Sequence, residues 1–276
     1  IGLNRGMKYE GALNLSYSKK IKEKHQIFVG TEANIFQDNT SQLTNAAEGF
    51  PNSDLDFPSM ALQYMKDGKP SGNEYYYRTV GFVGNANYNY DNRYFVDGTF
   101  RMDGSSQFGA NKRFAPFWSA GLGWNLHEEK FFKKNEIVNR LKLRGSVGTS
   151  GSTKFNTYQA LTTYGYYTSD RYYNWLGAYV MGLGNPDLKW QQVLKYNIGT
   201  DVDLFDRYLT LQANYYIENT NDLVSSVNTP ASSGVGYYTA NIGKLRNKGF
   251  ELYATVYLMK KPTGLTWSVS GSVLHN

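Results

Sequence analysis

One stretch of the chain, residues 94–124, constrains the fold more than any other. It contains two runs in which apolar side chains occupy every second position, and a polar segment separates the two runs. In the second run Trp118, Ala120, Leu122 and Trp124 share one face, while small or polar residues share the other, namely Ser119, Gly121, Gly123 and Asn125. Because successive side chains of a strand point to opposite faces, this pattern predicts two strands with one apolar and one polar face. Membrane barrels and soluble β-sandwiches both contain such strands, so this pair alone does not separate the two folds.

The same alternation recurs along the chain and predicts ten strands of about ten residues each. They lie near residues 7–17, 27–35, 82–90, 94–102, 118–124, 141–147, 194–204, 209–217, 250–258 and 267–273. Short turns alternate with longer polar connections, which occupy residues 37–78, 103–115, 149–191 and 219–249. Greek-key sandwiches do not sort their loops by length in this way, whereas up-and-down membrane barrels do. The sequence therefore predicts an all-β fold, a transmembrane antiparallel up-and-down β-barrel.

The composition agrees with a barrel and excludes several functions. Aromatic residues make up 16% of the chain and charged residues 19%, the latter below the roughly 25% of soluble domains. Tyr and Trp are common where apolar and wet surfaces meet, as they do at a membrane boundary. The absence of Cys excludes disulfides and cysteine nucleophiles. No apolar run approaches the roughly 20 residues of a membrane-spanning helix, so a membrane would be crossed by strands.

The net charge of +6 comes largely from the short turns. The basic residues at these turns are Lys19, Lys20, Lys22, Lys24, Lys130, Lys133, Lys134, Arg207, Lys260 and Lys261. Separate basic turns without interleaved aromatic residues do not form a nucleic-acid groove, so we expect no nucleic-acid partner. Two interpretations stay open for these residues, namely solvated turns and attraction to anionic lipid headgroups.

No pattern in the chain indicates an enzyme or a cofactor. His25, His127 and His275 are far apart in sequence and predict no metal site. Neither a nucleophile elbow nor a phosphate-binding loop occurs. Asp201 and Asp203 share one face of one strand, which favours a hydrated wall over a glycosidase pair. We therefore predict no catalytic residue, no metal and no cofactor.

Five segments resemble the SusC/RagA-type TonB-dependent outer-membrane transporters of Bacteroidota. Residues 101–109 (RMDGSSQFG) resemble the R-x-D-G-S-S-x-F-G segment of that family, and residues 116–124 resemble its aromatic-Pro-Ser-Ala-Leu-Gly-Trp strand. Residues 141–148 (LKLRGSVG) resemble its L-K-L-R-x-S-x-G strand. Residues 185–191 resemble N-P-x-L-x-W-E, with Gln191 in place of Glu, and residues 247–252 resemble the N-x-G-x-E strand entry. We interpret the following motif residues as structural: Arg101, Asp103, Gly104, Ser105, Ser106, Phe108, Gly109, Trp124, Asn185, Pro186, Trp190, Asn247, Gly249 and Glu251.

The resemblance implies a bacterial outer-membrane barrel of about 22 strands with an N-terminal plug. It also implies import of glycans or oligopeptides, powered through TonB, with a SusD-like surface lipoprotein as partner. Residues 1–276 are then expected to be a partial barrel domain that lacks the plug and the first and last strands. A soluble β-rich carbohydrate-binding module is the alternative, and it requires the apolar strand faces to pack against each other.

The polar segment 101–109 has two interpretations. Arg101, Asp103 and the two serines could form a catalytic or ion-binding loop, or they could brace the loop by hydrogen bonds to its backbone. We favour the brace because no base or metal ligand is spaced near them. In that brace Gly104 and Gly109 are expected to adopt a positive φ angle.

Aromatic residues in the later long connections are candidate substrate-binding residues. They are Tyr164, Tyr166, Tyr172, Tyr173, Trp175 and Tyr237. Their rings could stack on sugars while neighbouring polar groups bind hydroxyls. The alternative is that the rings pack the loop against its neighbours or against the lipoprotein, and we favour this second interpretation because aromatic residues are common at protein interfaces.

Overall fold

The computed structural model describes residues 2–52, 54, 57–65, 68, 70–132, 137–152, 158–167, 173–260 and 263–276. In chain order the strands are β1 (Gly2–Ile21), β2 (His25–Thr44), β3 (Ala47–Glu48), β4 (Gln63–Tyr64), β5 (Ser71–Tyr90), β6 (Tyr94–Ser105), β7 (Phe114–Asn125), β8 (Val138–Ser152), β9 (Thr163–Tyr166), β10 (Ala178–Gly182), β11 (Gln191–Leu204), β12 (Leu209–Asn228), β13 (Tyr237–Lys260) and β14 (Thr266–His275). Short 3₁₀ turns occupy Pro58–Met60, Leu126–Glu128 and Ala231–Ser233. Among these residues, none of the helical segments has the length and apolar character to cross a membrane.

Ten of these strands form one antiparallel sheet in the order β1-β2-β5-β6-β7-β8-β11-β12-β13-β14. Each strand of the sheet therefore pairs with the strand that follows it, apart from two small hairpins, β3–β4 and β9–β10, which lie within long connections. This arrangement confirms the predicted up-and-down meander of about ten strands.

The sheet has one apolar and one polar face, and cross-strand pairing keeps the two separate. One row of paired residues consists of Tyr88, Val96, Leu122, Gly145, Ile198, Tyr215 and Phe250. The adjacent row, on the other face, consists of Asn87, Asp97, Gly121, Ser146, Asn197, Tyr216 and Gly249. The apolar face is uncovered, since Leu122 is 65% and Ile198 is 70% exposed. The alternative of a soluble module requires the apolar faces to pack against each other, and within the described residues this face is uncovered.

The connections between sheet strands lie at two rims. We call one rim the short-turn rim; its connections are residues 22–24, 91–93, 126–137, 205–208 and 261–265. We call the other the long-loop rim; its connections are residues 45–70, 106–113, 153–190 and 229–236. Asp91 and Asn92 have φ angles of 52° and 56°, which are values of the type I′ turn that matches strand twist. The predicted tight turn at these two residues is thus confirmed.

The predicted strand length of about ten residues is wrong for most of the sheet. The sheet strands have between 10 and 24 residues, and the longest is β13. Beyond the apolar band the hydrophobic alternation ends, but the backbone hydrogen-bond ladder does not depend on side-chain polarity and continues. For this reason the connection predicted at 219–249 shrinks to 229–236, those predicted at 37–78 and 149–191 contain strand ends, and residues 101–105 belong to β6.

The predicted sorting of connections by length is only partly right. Residues 45–70 and 153–190 form the long connections of the long-loop rim. However, the connection at 126–137 on the short-turn rim is longer than those at 106–113 and 229–236 on the other rim. Extension of β12 and β13 by backbone pairing, which continues across a β-bulge, accounts for the shortness of the last of these.

Candidate functional site

The polar face of the sheet carries charged side chains that pair across neighbouring strands. Arg144 lies 3.1 Å from Asp201, and Lys195 lies 2.7 Å from Glu218. Asp203, which is buried, has Arg140 and Arg207 within 4.0 Å. Asp201 and Asp203 are therefore each paired with arginines, and the hydrated wall expected for them from the sequence stays a prediction.

Two cavities of about 480 Å³ each open on this polar face. The cavity nearer the short-turn rim has a polar lining that includes Asn87, Asp97, Lys142, Arg144 and Asn197. The other cavity lies below the long-loop rim and is lined by Tyr77, Arg101, Asp103, Phe117 and Trp190, among others. Aromatic rings beside a few placed charges are typical of ligand sites.

An aromatic cluster closes the polar face at the long-loop rim. We call Phe108, Phe117 and Trp190 the motif anchor, because three of the family segments supply its rings. The ring centroids of Phe108 and Trp190 are 4.4 Å apart and stacked, and Phe117 meets Trp190 edge-on at 5.5 Å. With Ala115 these residues form a buried hydrophobic core cluster. The structure thus joins residues that are about eighty positions apart in the chain.

Glycine is required at positions 104 and 109 because a Cβ atom would clash with neighbouring atoms, and not because of the backbone conformation. The positive-φ glycines of the described residues are Gly49, Gly234 and Gly264, so the predicted positive φ at Gly104 and Gly109 is wrong. A Cβ atom on Gly109 would lie 2.0 Å from the carbonyl oxygen of Pro186. The amide of Gly109 also donates to the carbonyl of Leu188 at 2.9 Å, which brings the two backbones into direct contact.

Residues 185–190 are also fixed to the hairpin of β12 and β13. The side chain of Asn185 donates to the carbonyl of Thr239 at 3.0 Å. Asn241 accepts from the amide of Lys189 at 3.0 Å and donates to the carbonyl of the same residue at 2.8 Å. Segment 185–190 therefore connects β6–β7 on one side with β12–β13 on the other.

Hydrogen bonds organise the polar segment that begins at Arg101. Arg101 Nε donates to both carboxylate oxygens of Asp103, at 2.6 and 2.5 Å. The Ser105 hydroxyl accepts from the Gln107 amide at 3.3 Å, and the Ser106 hydroxyl accepts from the Arg78 amide at 3.0 Å. No group of three or more His, Cys, Asp or Glu residues that could hold a metal occurs in the described part of the chain.

The other motif residues lie away from the motif anchor. Gly249 faces Tyr216, and a Cβ atom at this position would be 2.6 Å from the Tyr216 hydroxyl. Asn247 and Glu251 pair with Glu218 and Asn214 along β12. Trp124 lies at the opposite rim. The motif residues therefore lie at separate packing sites and do not form one binding pocket.

Trp124 belongs to an aromatic girdle on the apolar face of the short-turn rim. Its ring stacks on Tyr94 at 6.3 Å, and Tyr94 stacks on Tyr90 at 6.3 Å. Glu129 accepts hydrogen bonds from the Tyr94 hydroxyl at 2.6 Å and from the Trp124 indole at 3.0 Å. These bonds, the one from Tyr94 first, lower the pKa of Glu129, and nearby Arg93 adds to the effect. Girdles of this kind mark the boundary between hydrocarbon and water.

The lowered pKa of Glu129 predicts a pH dependence at the girdle. A carboxyl group with a lower pKa in the folded state adds stability above its unfolded pKa of about 4.3, and this stability is lost as the pH falls through the folded pKa. Acidification below about pH 4 should therefore lower the unfolding temperature of the full-length barrel and change Trp124 fluorescence. The variant Glu129→Gln should show a smaller change, whereas Glu23→Gln, in another turn of this rim, should behave as wild type. Identical pH profiles for wild type and Glu129→Gln would contradict the prediction.

The candidate substrate-binding aromatics are exposed at the long-loop rim. Tyr164 and Tyr166 lie two residues apart on β9 and are 62% and 63% exposed. Tyr173 and Trp175, in the following turn, are 86% and 77% exposed, and Tyr237 is 59% exposed. Tyr172 lies outside the described residues. Packing within the loop occurs instead at Tyr167 and Tyr179, whose rings are 4.9 Å apart. A role of the exposed rings in cargo binding stays a prediction.

No sequence pattern indicates that some residues of the long-loop rim contact segment 185–190. Asn241 sits in a polar segment that the sequence assigns to a loop, and its clamp on Lys189 depends on strand extension. Asp222, with a φ angle of 58° at a β-bulge, lies 3.0 Å from Lys189. Contacts between distant loops leave no periodic pattern, so only the motif resemblance pointed to this region.

Comparison with known proteins identifies the family. A family model described as TonB dependent receptor-like, beta-barrel, matches residues 3–274. TonB-dependent receptor P39 of Formosa agariphila is 32% identical over 190 residues, covering 68% of this chain and 18% of that protein. TonB-dependent receptor SusC of Bacteroides thetaiotaomicron is 31% identical over 208 residues, covering 71% of this chain and 20% of that protein. The structure of the RagAB peptide transporter matches this chain with a TM-score of 0.87 and 23% sequence identity. The match covers 98% of this chain and 30% of the RagAB chain.

The fold and these matches define an outer-membrane β-barrel. The chain belongs to the TonB-dependent receptor-like β-barrel family. The predicted resemblance to the SusC/RagA group is confirmed in sequence by the match to SusC, and the likeness to RagAB shows the fold. The chain spans about a fifth of the length of the curated relatives described above.

Proposed function

We propose that this chain forms part of the wall of an outer-membrane importer that moves glycans or oligopeptides. The observation that carries the proposal is the sheet itself, with an uncovered apolar face and an opposite face lined by ion pairs. The apolar face then contacts lipid and the polar face lines the lumen. The long-loop rim faces the cell exterior and the short-turn rim the periplasm. Passage through such a barrel needs no covalent chemistry, and the family is one of receptors.

The two edge strands support a larger barrel around this chain. β1 and β14 each pair on one side only within the sheet. Unpaired backbone groups cost several kcal/mol each in hydrocarbon, so further strands are expected to close the barrel. Our proposal therefore includes a barrel of about 22 strands, an N-terminal plug inside it, and coupling to TonB through that plug. On this proposal, residues 1–276 are a partial barrel domain.

The exposed aromatics of the long-loop rim support binding of cargo or of a SusD-like lipoprotein. Tyr164 and Tyr166 present two rings on one face of the β9–β10 hairpin. Both rings are mostly exposed, whereas the rings of Tyr167 and Tyr179 contact each other. Exposed aromatic surfaces of this kind either stack on a ligand or are buried by a protein partner. RagAB is a peptide transporter by name, which keeps oligopeptides beside glycans as candidate cargo.

A growth experiment tests the import function. Deletion of the full-length gene is expected to abolish growth on one member of a panel of polysaccharides and peptides supplied as the sole nutrient. Complementation with the full-length wild-type gene should restore growth. Normal growth of the deletion strain on every member, in a strain without a paralogue, would contradict the proposal.

The same strain tests the exposed aromatics. Complementation with Tyr164→Ala, Tyr166→Ala and Trp175→Ala combined should reduce cargo affinity at least tenfold, because stacking contributes about 1 kcal/mol or more per ring. Tyr208→Ala, which removes a partly exposed tyrosine at the short-turn rim, serves as the control. Unchanged cargo affinity with reduced retention of the lipoprotein would assign these rings to the partner interface instead.

A further inference from the structure

A cleft of about 420 Å³ lies on the apolar face of the sheet at the long-loop rim. We call it the rim cleft; its lining includes Arg78, Ser106, Arg113, Val80 and Phe114. Val80 and Phe114 pair with the same residue of β6 and belong to the lipid-facing rows. The rim cleft is therefore separate from the lumenal cavities and from the proposed cargo path.

Backbone hydrogen bonds hold the two arginines of the rim cleft on either side of the end of β6. The amide of Ser105 donates to the carbonyl of Arg113 at 3.1 Å, and the amide of Ser106 donates to the carbonyl of Arg78 at 3.0 Å. The amide of Arg78 donates in turn to the Ser106 hydroxyl at 3.0 Å. Two consecutive serines thus fix the positions from which both guanidinium groups extend.

Gly104 forms the apolar side of the rim cleft. It is the residue of β6 that pairs with both Val80 and Phe114. A Cβ atom on Gly104 would lie 2.6 Å from the Phe114 ring and 3.0 Å from the Val80 side chain. The Phe114 ring therefore lies directly over Gly104, and it is 63% exposed on the outer surface.

The charge of the rim cleft is uncompensated within the described residues. Arg78 and Arg113 are both exposed, and neither has a carboxylate within 4.0 Å among those residues. Arg101 and Arg144, in contrast, are paired with carboxylates on the lumenal face. A cleft lined by two arginines, a serine and an aromatic residue is a suitable site for a phosphate group.

The position of the rim cleft indicates which kind of molecule would carry the bound phosphate. Directly toward the membrane on the same face lie Phe82, Phe100 and Trp118, all exposed on the apolar surface. A lipid whose headgroup occupied the rim cleft would lay its acyl chains along these rings. We propose that the rim cleft binds the phosphorylated sugar headgroup of an outer-leaflet glycolipid of the lipid A type. This proposal rests on the orientation proposed above, in which the long-loop rim faces the exterior.

The size and chemistry of the rim cleft agree with such a headgroup. Its volume falls in the range of roughly 300–1,000 Å³ that small-molecule sites occupy. Arginine binds phosphate in a bidentate manner, and Ser106 can add a hydroxyl hydrogen bond. Phe114 supplies the aromatic contact that is common where headgroups meet the acyl region.

Lipid binding to the purified full-length protein in detergent tests the proposal. Native mass spectrometry with monophosphorylated lipid A should show bound lipid, and Arg78→Gln with Arg113→Gln should weaken binding at least tenfold. Arg78→Lys with Arg113→Lys should lose less, because charge is kept while bidentate geometry is lost. The matched control is Arg246→Gln with Lys248→Gln, which removes two exposed charges from the lipid-facing side of β13 at the same rim.

Three outcomes would overturn the proposal. The first is equal binding of dephosphorylated lipid A, and the second is equal binding of phosphatidylethanolamine. The third is an equal loss in the Arg246 and Lys248 control, which would reduce the effect to general surface charge. Because binding is measured without transport, these results are independent of the growth experiment. Heat-dependent gel migration confirms that each variant is a folded barrel.

Discussion

Replacing Trp190 with alanine is expected to destabilise the long-loop rim by about 3–5 kcal/mol. Trp190 is 6% exposed, and its ring is covered by Phe108 on one side and Phe117 on another. Its indole N–H also donates to the carbonyl of Arg113 at 3.4 Å. Removal of the ring leaves a cavity between two segments whose backbones already touch at Gly109, so the site has little freedom to collapse.

The loss should be local, since ladder hydrogen bonds hold the ten-stranded sheet below the motif anchor. Limited proteolysis of the full-length protein should therefore show faster cleavage within residues 158–184, while the barrel stays resistant. The matched control is Trp118→Ala, one residue from Phe117 on the same strand. Trp118 is 44% exposed on the apolar face, so its removal leaves no buried cavity. Equal protection of the loop in wild type and Trp190→Ala would show that the motif anchor does not fix segment 185–190.

Strand periodicity made the membrane-facing part of this fold predictable. Every second residue from Tyr94 to Phe100 and from Trp118 to Trp124 was placed on the correct face, because hydrocarbon on one side imposes the alternation. The same reasoning failed above the apolar band, where β12 continues to Asn228 and β13 already begins at Tyr237. There the hydrophobic alternation ends, while backbone pairing between the two strands continues.

The contacts at the long-loop rim were beyond prediction from residue patterns. Phe108 and Trp190 stack although a strand hairpin and a long connection separate them in the chain. The motif resemblance placed both residues in the family pattern but gave no reason for them to meet. Gly109 illustrates the same limit, because its need for space depends on Pro186, a neighbour in the fold and not in sequence.

Replacing Leu15 with arginine tests the membrane assignment most directly. Leu15 is 65% exposed on the apolar face in the middle of β1. A charged residue facing lipid near the bilayer midplane costs about 2–4 kcal/mol, whereas in water the same exposed position would tolerate it. The full-length variant should therefore lose stability by that amount when it unfolds from lipid vesicles.

Asn14 provides the control, because it neighbours Leu15 on the same strand but lies on the opposite face. Asn14 lies on the polar face, and its cross-strand partner is Glu32. Asn14→Arg introduces the same side chain opposite a carboxylate in the lumen, so its stability should stay within about 0.5 kcal/mol of wild type. Chemical unfolding in vesicles measures the loss of stability in each variant. The difference between the two losses distinguishes the lipid-facing side of β1 from its polar side. Equal losses would mean that β1 does not separate hydrocarbon from water, and the assignment of the apolar face to lipid would be wrong.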